Sequence, residues 1–294
     1  IRNCLVGSEM CIRDRRTIFQ MLFFALLPFC AFMVSPDPAR AHEFWIEPER
    51  WQIPAGGEVR ASIRIGTEFS GSQRIYFPSA ITRFEVIGQS QTIPARGRLG
   101  DLPAGQFTPL EDGLHIIVHE TTSSLVKYKV MDKFTDFTLE KGYPEAIEQH
   151  RGRGLPETGF VETYRRFAKS LIAVGHADGS DRNLGLEVEI TALANPFTIT
   201  APVMPMILSR DDAPWAGVQV TVFSRPVEGE ASPASIQQYA SDDNGRVEIS
   251  IIPGHTYLVD AVSLDAVEPG ADPDGAVWAS RWASTTFTIP EREE

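Results

Sequence analysis

Six histidines, His42, His115, His119, His150, His176 and His255, are the residues of this chain whose type best suits chemistry, and that chemistry is metal ligation. Imidazole nitrogen suits copper, nickel, zinc or iron, and the Irving–Williams order makes copper the tightest in a simple titration whatever ion serves in the cell. His42 is the sharpest candidate. Cleavage after Ala41 makes it the first residue, and its free α-amine and Nδ1 then close a six-membered chelate ring on one ion. The amine binds only when deprotonated. With an ordinary pKa of about 7.7 to 8.0, it gives up its proton to a metal near neutral pH, and affinity falls in acid. The competing reading is structural: His42 simply precedes a first strand, Phe44-Trp45-Ile46, tucked into the fold.

His115 and His119 fall on one side of a strand expected at Leu114 to Val118 and its end, opposite Leu114, Ile116 and Val118. At about 3.3 Å per residue their backbones stand about 13 Å apart, with side chains perpendicular to the sheet, so the two are not expected to share one ion. One of them can complete a site begun by His42 if the first strand lies alongside. His119 is favoured because Glu120 follows it at the strand end. Set against this is a strand with two half-exposed histidines facing solvent or a helical segment. His150, beside Arg151, and His255, in Pro253-Gly254-His255, read as capping or turn residues; His176 reads as loop. No Gly-x-Ser-x-Gly, phosphate loop or His-Glu-x-x-His occurs, so catalysis has no internal support. Trp45, Trp51, Trp215, Trp278 and Trp282 can line a carbohydrate or peptide groove, but core packing accounts for them as well and is preferred.

Whether His42 leads the mature chain depends on what precedes it. Met10-Cys11-Ile12-Arg13-Asp14 resembles the translation of a transposon end used to make sequencing libraries, so Ile1 to about Arg15 is set aside. Arg15-Arg16, an apolar run from Ile18 to Val34 and Ala39-Arg40-Ala41 have the layout of a secretory signal. Gln20 and Pro28 interrupt a run already at the short limit of about 17 to 25 residues for spanning, which favours cleavage over a membrane anchor. The expected location is the periplasm, with no stable membrane insertion after cleavage. Cys4, Cys11 and Cys30 all precede the cleavage point, so the mature chain forms no disulfide and depends on burial. Loss of the leader takes the formal charge from −12 to −14, because five arginines and three acidic residues leave with it. Such a balance argues against nucleic acid and anionic lipid as partners.

The elements that must position these residues are mainly strands. Val59, Ala61, Ile63 and Ile65 alternate with polar neighbours in a half-buried strand, and similar segments recur at Thr82 to Ile87, Leu114 to Val118 and Leu125 to Val130. Short helices are expected around Asp132 to Lys141 and Pro144 to Gln149, separated by Gly142. Phe160, Tyr164, Phe167, Ala168 and Leu171 then fall at helical spacing, with Glu162, Arg165, Arg166 and Lys169 on the other side, which predicts a third helix. A further strand, Leu186 to Ala192, ends before Asn195-Pro196. Beyond it come Val218 to Val222, a hairpin turn at Asp242-Asp243-Asn244-Gly245, Val247 to Ile251, Thr256 to Leu264 and Ala276 to Ile289. The expectation is a mainly β protein of two Ig-like or prealbumin-like sandwiches. Residues 1–41 are leader and signal, 42–194 a first sandwich with a helical insertion at about 131–173, and 195–294 a smaller second one.

Several of these segments together resemble a known family. His42-Glu43-Phe44-Trp45-Ile46-Glu47-Pro48, Gly113-Leu114-His115-Ile116-Ile117-Val118-His119-Glu120, Gly154-Leu155-Pro156-Glu157-Thr158-Gly159-Phe160, Leu193-Ala194-Asn195-Pro196-Phe197 and Trp282-Ala283-Ser284 are similar to domain of unknown function 4198. Its members are often described as periplasmic components of nickel or cobalt uptake systems. The histidine after the cleavage site matches the family pattern at His42, whereas the His115 and His119 pair resembles only part of the family. The resemblance implies a periplasmic accessory protein that captures a divalent transition metal, nickel or cobalt, with copper or zinc open, and passes it to a membrane transporter component. Its ligands would be His42 first, then His119, then His115. Two other classes stand beside it: a non-enzymatic module that binds a protein or glycan, and a copper enzyme of the amino-terminal histidine type, which needs a second histidine beside the first.

Overall fold

Runs of β-branched and aromatic residues punctuated by Gly, Pro and Asp make this chain mainly strand. The computed structural model describes residues 43–108, 111–227 and 233–291. The first strands are β1 (Glu43–Pro48), β2 (Gln52–Ile53), β3 (Val59–Thr67), β4 (Ser70–Arg74), β5 (Ile81–Ile87) and β6 (Thr92–Pro94). After these come β7 (Gly105–Phe107), β8 (Gly113–Thr121), β9 (Ser124–Tyr128), the helices α1 (Met131–Glu140) and α2 (Glu145–Gly152), β10 (Phe160–Val174) and β11 (Val188–Ala192). The remainder is β12 (Val203–Arg210), β13 (Ala213–Pro214), β14 (Gln219–Pro226), β15 (Ser235–Ala240), β16 (Arg246–Ser250), β17 (His255–Ala266) and β18 (Ala276–Ile289).

A ten-stranded sheet forms the middle layer, in the order β15-β14-β17-β18-β10-β8-β5-β6, with β2 and β9 also paired to β10. One four-stranded sheet, β1-β3-β4 with β7, packs on one face of it, and another, β11-β12-β13 with β16, on the other. Two sandwich cores therefore share one sheet. β10 and β18 lie side by side in parallel, from Val161 opposite Ala276 to Ser170 opposite Thr286, so strands from before and after Asn195-Pro196 meet in that layer. Period 2 sorts the side chains of β8: Leu114, Ile116 and Val118 enter the core with β11, β12 and β16, while Ile117 enters the core with β1 and β3. Burying each large aliphatic or aromatic side chain is worth about 1.5–3 kcal/mol, and these two clusters are where the fold takes most of that gain.

The two helices stand where the sequence places them, between β9 and β10. Met131, Phe134 and Phe137 of α1 share one buried face, and Phe134 and Phe137 meet Trp278 and Trp282 of β18 at ring-centroid distances of 5.3 and 5.7 Å. The tryptophans are thus core residues on one strand face, as preferred from sequence. The predicted third helix is a correction: Phe160 to Val174 is the strand β10. Its last eight residues are buried on both faces of the sheet, which erases the alternation that betrays a one-sided strand and leaves a near-continuous apolar run. The helical spacing is a coincidence of two faces: Phe167 and Leu171 serve one core, Ala168 and Ile172 the other.

The Asp242 to Gly245 turn also differs from expectation. The turn itself forms, with Gly245 at φ +72° donating its N–H to Asp242 O at 2.9 Å and the Asp242 carboxylate accepting the N–H groups of Asn244 and Arg246. The strands it joins do not pair with each other: β15 pairs with β14 and β16 with β12, in different sheets. Turn chemistry fixes a reversal of direction, whereas which strand accepts the returning chain is a tertiary choice.

Candidate functional site

His119 lies near the end of β8, opposite Phe84 of β5. Its ring is enclosed by Phe84, centroids 4.9 Å apart and edge to face, and by Phe44 of β1 at 5.2 Å. Neither ring nitrogen has a hydrogen-bond partner, although the residue is only 2% exposed. Burial lowers its pKa to about 3, so the imidazole is neutral at pH 7 and keeps a lone pair. A buried donor or acceptor left unmade costs about 1–3 kcal/mol, and native proteins leave few of them. An open cavity of about 420 Å³ adjoins the ring, walled by Phe44, Ile63, Phe77, Tyr164 and Arg166 among others.

Arg166 comes from β10, on the face that also carries Glu162 and Tyr164. Its guanidinium carbon lies 4.7 Å from the Tyr164 ring centroid, 5.7 Å from Phe44 and 5.8 Å from Trp282. Burial pulls its pKa down from the ordinary value while Tyr164 and Asp260 act in the opposite sense; an arginine stays charged throughout. Behind it, Glu162 accepts hydrogen bonds from Tyr128 Oη at 2.7 Å and from Ser280 Oγ. Burial raises the Glu162 carboxyl to about 7 despite those donors.

The strand that carries Phe44 is pinned by a second buried cluster. Glu43 Oε1 accepts from Lys141 Nζ at 3.0 Å, its Oε2 accepts from the Glu68 N–H, and Lys141 also reaches Asp260 Oδ2 at 3.3 Å. Burial raises the Glu43 carboxyl to about 7, although the Lys141 ammonium works against the shift. Burial alone would lower the Lys141 pKa, and the Asp260, Glu43 and Glu140 carboxylates raise it instead. Ser284 Oγ donates to Phe44 O at 2.7 Å and Thr286 Oγ1 to Ile46 O at 2.6 Å, which ties β1 across the central sheet.

Of the three residues picked from sequence, His42 lies outside the described residues, next in the chain to Glu43 and two before Phe44. His115 and His119 share a face of β8 with Ile117 between them, and the structure does not bring them to one place. His115 donates from Nδ1 to Gly113 O at 3.0 Å and lies by Gly88 and Glu111, away from the cavity that His119 lines. Neither histidine is half-exposed: both are buried. His150 is a fully enclosed tie, with Nε2 donating to Pro156 O at 3.1 Å and Nδ1 accepting from Trp278 Nε1 at 3.0 Å. His176 is exposed between Asp112 and Asp178, and His255 donates to Pro253 O. Among the described residues no group of three or more His, Cys, Asp or Glu side chains is arranged to hold a metal ion. Sequence reasoning missed Arg166 and Tyr164 because it put them on a helix; strand alternation through Glu162, Tyr164, Arg166 and Ala168 would have placed all four on the face toward β1.

The family model described as "Domain of unknown function (DUF4198)" matches residues 39–265. The chain belongs to this family. The match takes in the segments carrying His42, His115 and His119, the strands β1 to β16 and β17 up to Asp265. No curated protein matches this DUF4198 member. Solved structures similar to it include a trypsin-activated alpha-2-macroglobulin from Escherichia coli, at 12% identity and TM-score 0.21, covering 86% of this chain and 16% of that one. The same Escherichia coli protein activated by porcine elastase gives 13% identity and TM-score 0.20, over 84% and 20%. A DUF3823 family protein from Bacteroides uniformis gives 10% and 0.21, over 85% of this chain and all of that one. The chain spans 16% and 20% of the length of the two alpha-2-macroglobulin chains it matches.

Proposed function

We propose that the processed chain is a periplasmic accessory protein that takes up a divalent transition metal, nickel or cobalt by family resemblance, and passes it to a membrane uptake system. One observation carries the reading: a buried imidazole with both nitrogens unpartnered lines an open cavity and packs on Phe44, two residues from His42. A neutral histidine nitrogen is a common metal donor. His42 is two residues before Phe44 in the chain, and that nearness in sequence is what supports pairing it with His119 in this reading. His119 and His42 are the ligands of this reading; His115 is left out because its ring belongs to another part of β8.

The test is a nickel titration by calorimetry of protein whose first residue is His42. The reading expects one ion per chain, with affinity falling at least about tenfold, or 1.4 kcal/mol, in His119→Ala and in His42→Ala. Equal binding in all three proteins would abandon it. A second reading, a module that docks a protein partner, draws on Ile75 and Phe77, which are 45% and 48% exposed at the rim of the cavity. Absence of any metal uptake by the processed protein would leave that reading in place.

A further inference from the structure

Lys169, Asp181 and Glu189 meet in a buried polar trio that takes no part in the cavity beside His119. Lys169 belongs to β10, Asp181 to the segment that follows it and Glu189 to β11, and their side chains are 1%, 0% and 0% exposed. Lys169 Nζ lies 2.7 Å from Asp181 Oδ1, 2.9 Å from Glu189 Oε1 and 3.1 Å from Arg182 O. Phe167 and Leu171, two residues to either side of Lys169 on its own face of β10, belong to the larger apolar core. An amine and a carboxyl are therefore held in contact away from water, with a second carboxyl beside the same nitrogen.

In water an ammonium and a carboxylate do not condense, because both ions are well solvated and bulk water favours hydrolysis. Burial removes that protection from both charges. It pushes the Asp181 carboxyl above its ordinary value, although the Lys169 ammonium and the Ala192 and Arg182 N–H groups act against the shift. Fixed contact also replaces an encounter between separate molecules, and effective molarities of roughly 10⁵–10⁸ M are reached in well-oriented intramolecular reactions.

We infer that Lys169 and Asp181 condense in the folded chain to an amide between Nζ and Cγ, which ties β10 to the segment leading into β11. Glu189 carries one proton from the ammonium to Asp181 Oδ1, which makes Asp181 a neutral acid and frees the Nζ lone pair to attack Cγ. Negative charge then builds on Oδ2, where the Ala192 N–H donates at 2.8 Å. Glu189 carries a second proton from the nitrogen to the Oδ1 hydroxyl, and the Cγ–Oδ1 bond breaks to release water. One C–N bond forms, one C–O bond breaks, and Glu189 ends as the carboxylate it was at the start. No oxidant or cofactor is consumed.

The intact mass of denatured protein beginning at His42 reads this bond directly. The expected mass is that of the sequence less one water. Trypsin then locates the loss: an unlinked chain is cut after Lys169, whereas the linked chain keeps Phe167 to Arg182 as one piece, lighter by one water. Asp181→Asn is expected to reach the same final mass as the parent by losing ammonia instead. Asp181→Ala and Glu189→Gln are expected to keep the masses of their own sequences and to be cut after Lys169. A full sequence mass in the parent overturns the inference and leaves a buried salt bridge. So does a loss of water with the cut after Lys169 intact, which is what dehydration at the Asp178-Gly179 step would give. Condensation in Glu189→Gln as complete as in the parent overturns the role of Glu189. The metal reading stands or falls separately from all of these.

Discussion

Lys169 and His119 stand on adjacent strands of the central sheet, both buried and both polar, yet facing opposite ways and treated differently. Lys169 Nζ donates to Asp181 Oδ1 at 2.7 Å, to Glu189 Oε1 at 2.9 Å and to Arg182 O at 3.1 Å. The two carboxylates are completed by backbone N–H groups, Ala192 and Arg182 on Asp181, Leu184 and Leu186 on Glu189. His119, on the face toward β1, has no partner for either nitrogen. A buried charge tolerates no vacancy because its desolvation costs several kcal/mol. A neutral imidazole without a partner costs about 1–3 kcal/mol, little enough for a fold to carry. The contrast separates polar groups that complete the fold from one that makes no hydrogen bond.

Three substitutions probe that contrast, beginning with the largest effect. Lys169→Met strands two buried carboxylates, and urea unfolding should show a loss of about 3–5 kcal/mol; a loss below about 1 kcal/mol would mean that the trio is not a finished structural unit. Glu162→Gln concerns the buried carboxyl behind Arg166, whose pKa rises from 4.5 to about 7 on folding. A raised carboxyl pKa means that the folded chain holds its proton longer, so this group's contribution to stability is complete below pH 4.5 and is lost as pH climbs through about 7. Denaturant midpoints across that window should fall with pH in the parent and fall less steeply in the variant. His119→Phe is the smallest and runs the other way. It replaces two unmade hydrogen bonds by an apolar ring among Phe44 and Phe84, so the metal-free protein should gain up to about 1 kcal/mol. It should also lose the acid sensitivity that His119 confers: with a folded pKa near 3 against 6.5 in the unfolded chain, stability declines as pH falls between those values. A clear loss of stability in metal-free His119→Phe would place His119 with Lys169, as a group the fold needs.

Much of the architecture is legible in the residues. Strands with one wet face, such as β3 and β5, announce themselves by alternation, and α1 and α2 by their apolar spacing and the Gly142 break. β10 does not, because burial on two faces hides a strand behind an apolar run whose spacing passes for a helix. That single misreading removed Arg166, Tyr164 and Glu162 from the candidate site. His119 was singled out by its place near a strand end before Glu120, but its enclosure by Phe44 and Phe84 depends on the pairing of β8 with β5 and the packing of β1, which local pattern does not encode. The Glu43 and Lys141 pair joins residues 98 positions apart and left no trace in either neighbourhood.

X-ray absorption at the nickel edge of the processed protein, loaded with one equivalent of the metal, tests the central claim most directly. Metal ligation by His119, as proposed, predicts nitrogen ligands at about 2.0–2.1 Å, the usual metal–imidazole range, with an imidazole scattering pattern that loses one ring in His119→Phe. An unchanged spectrum in that variant, or a first shell of oxygen alone, would contradict it.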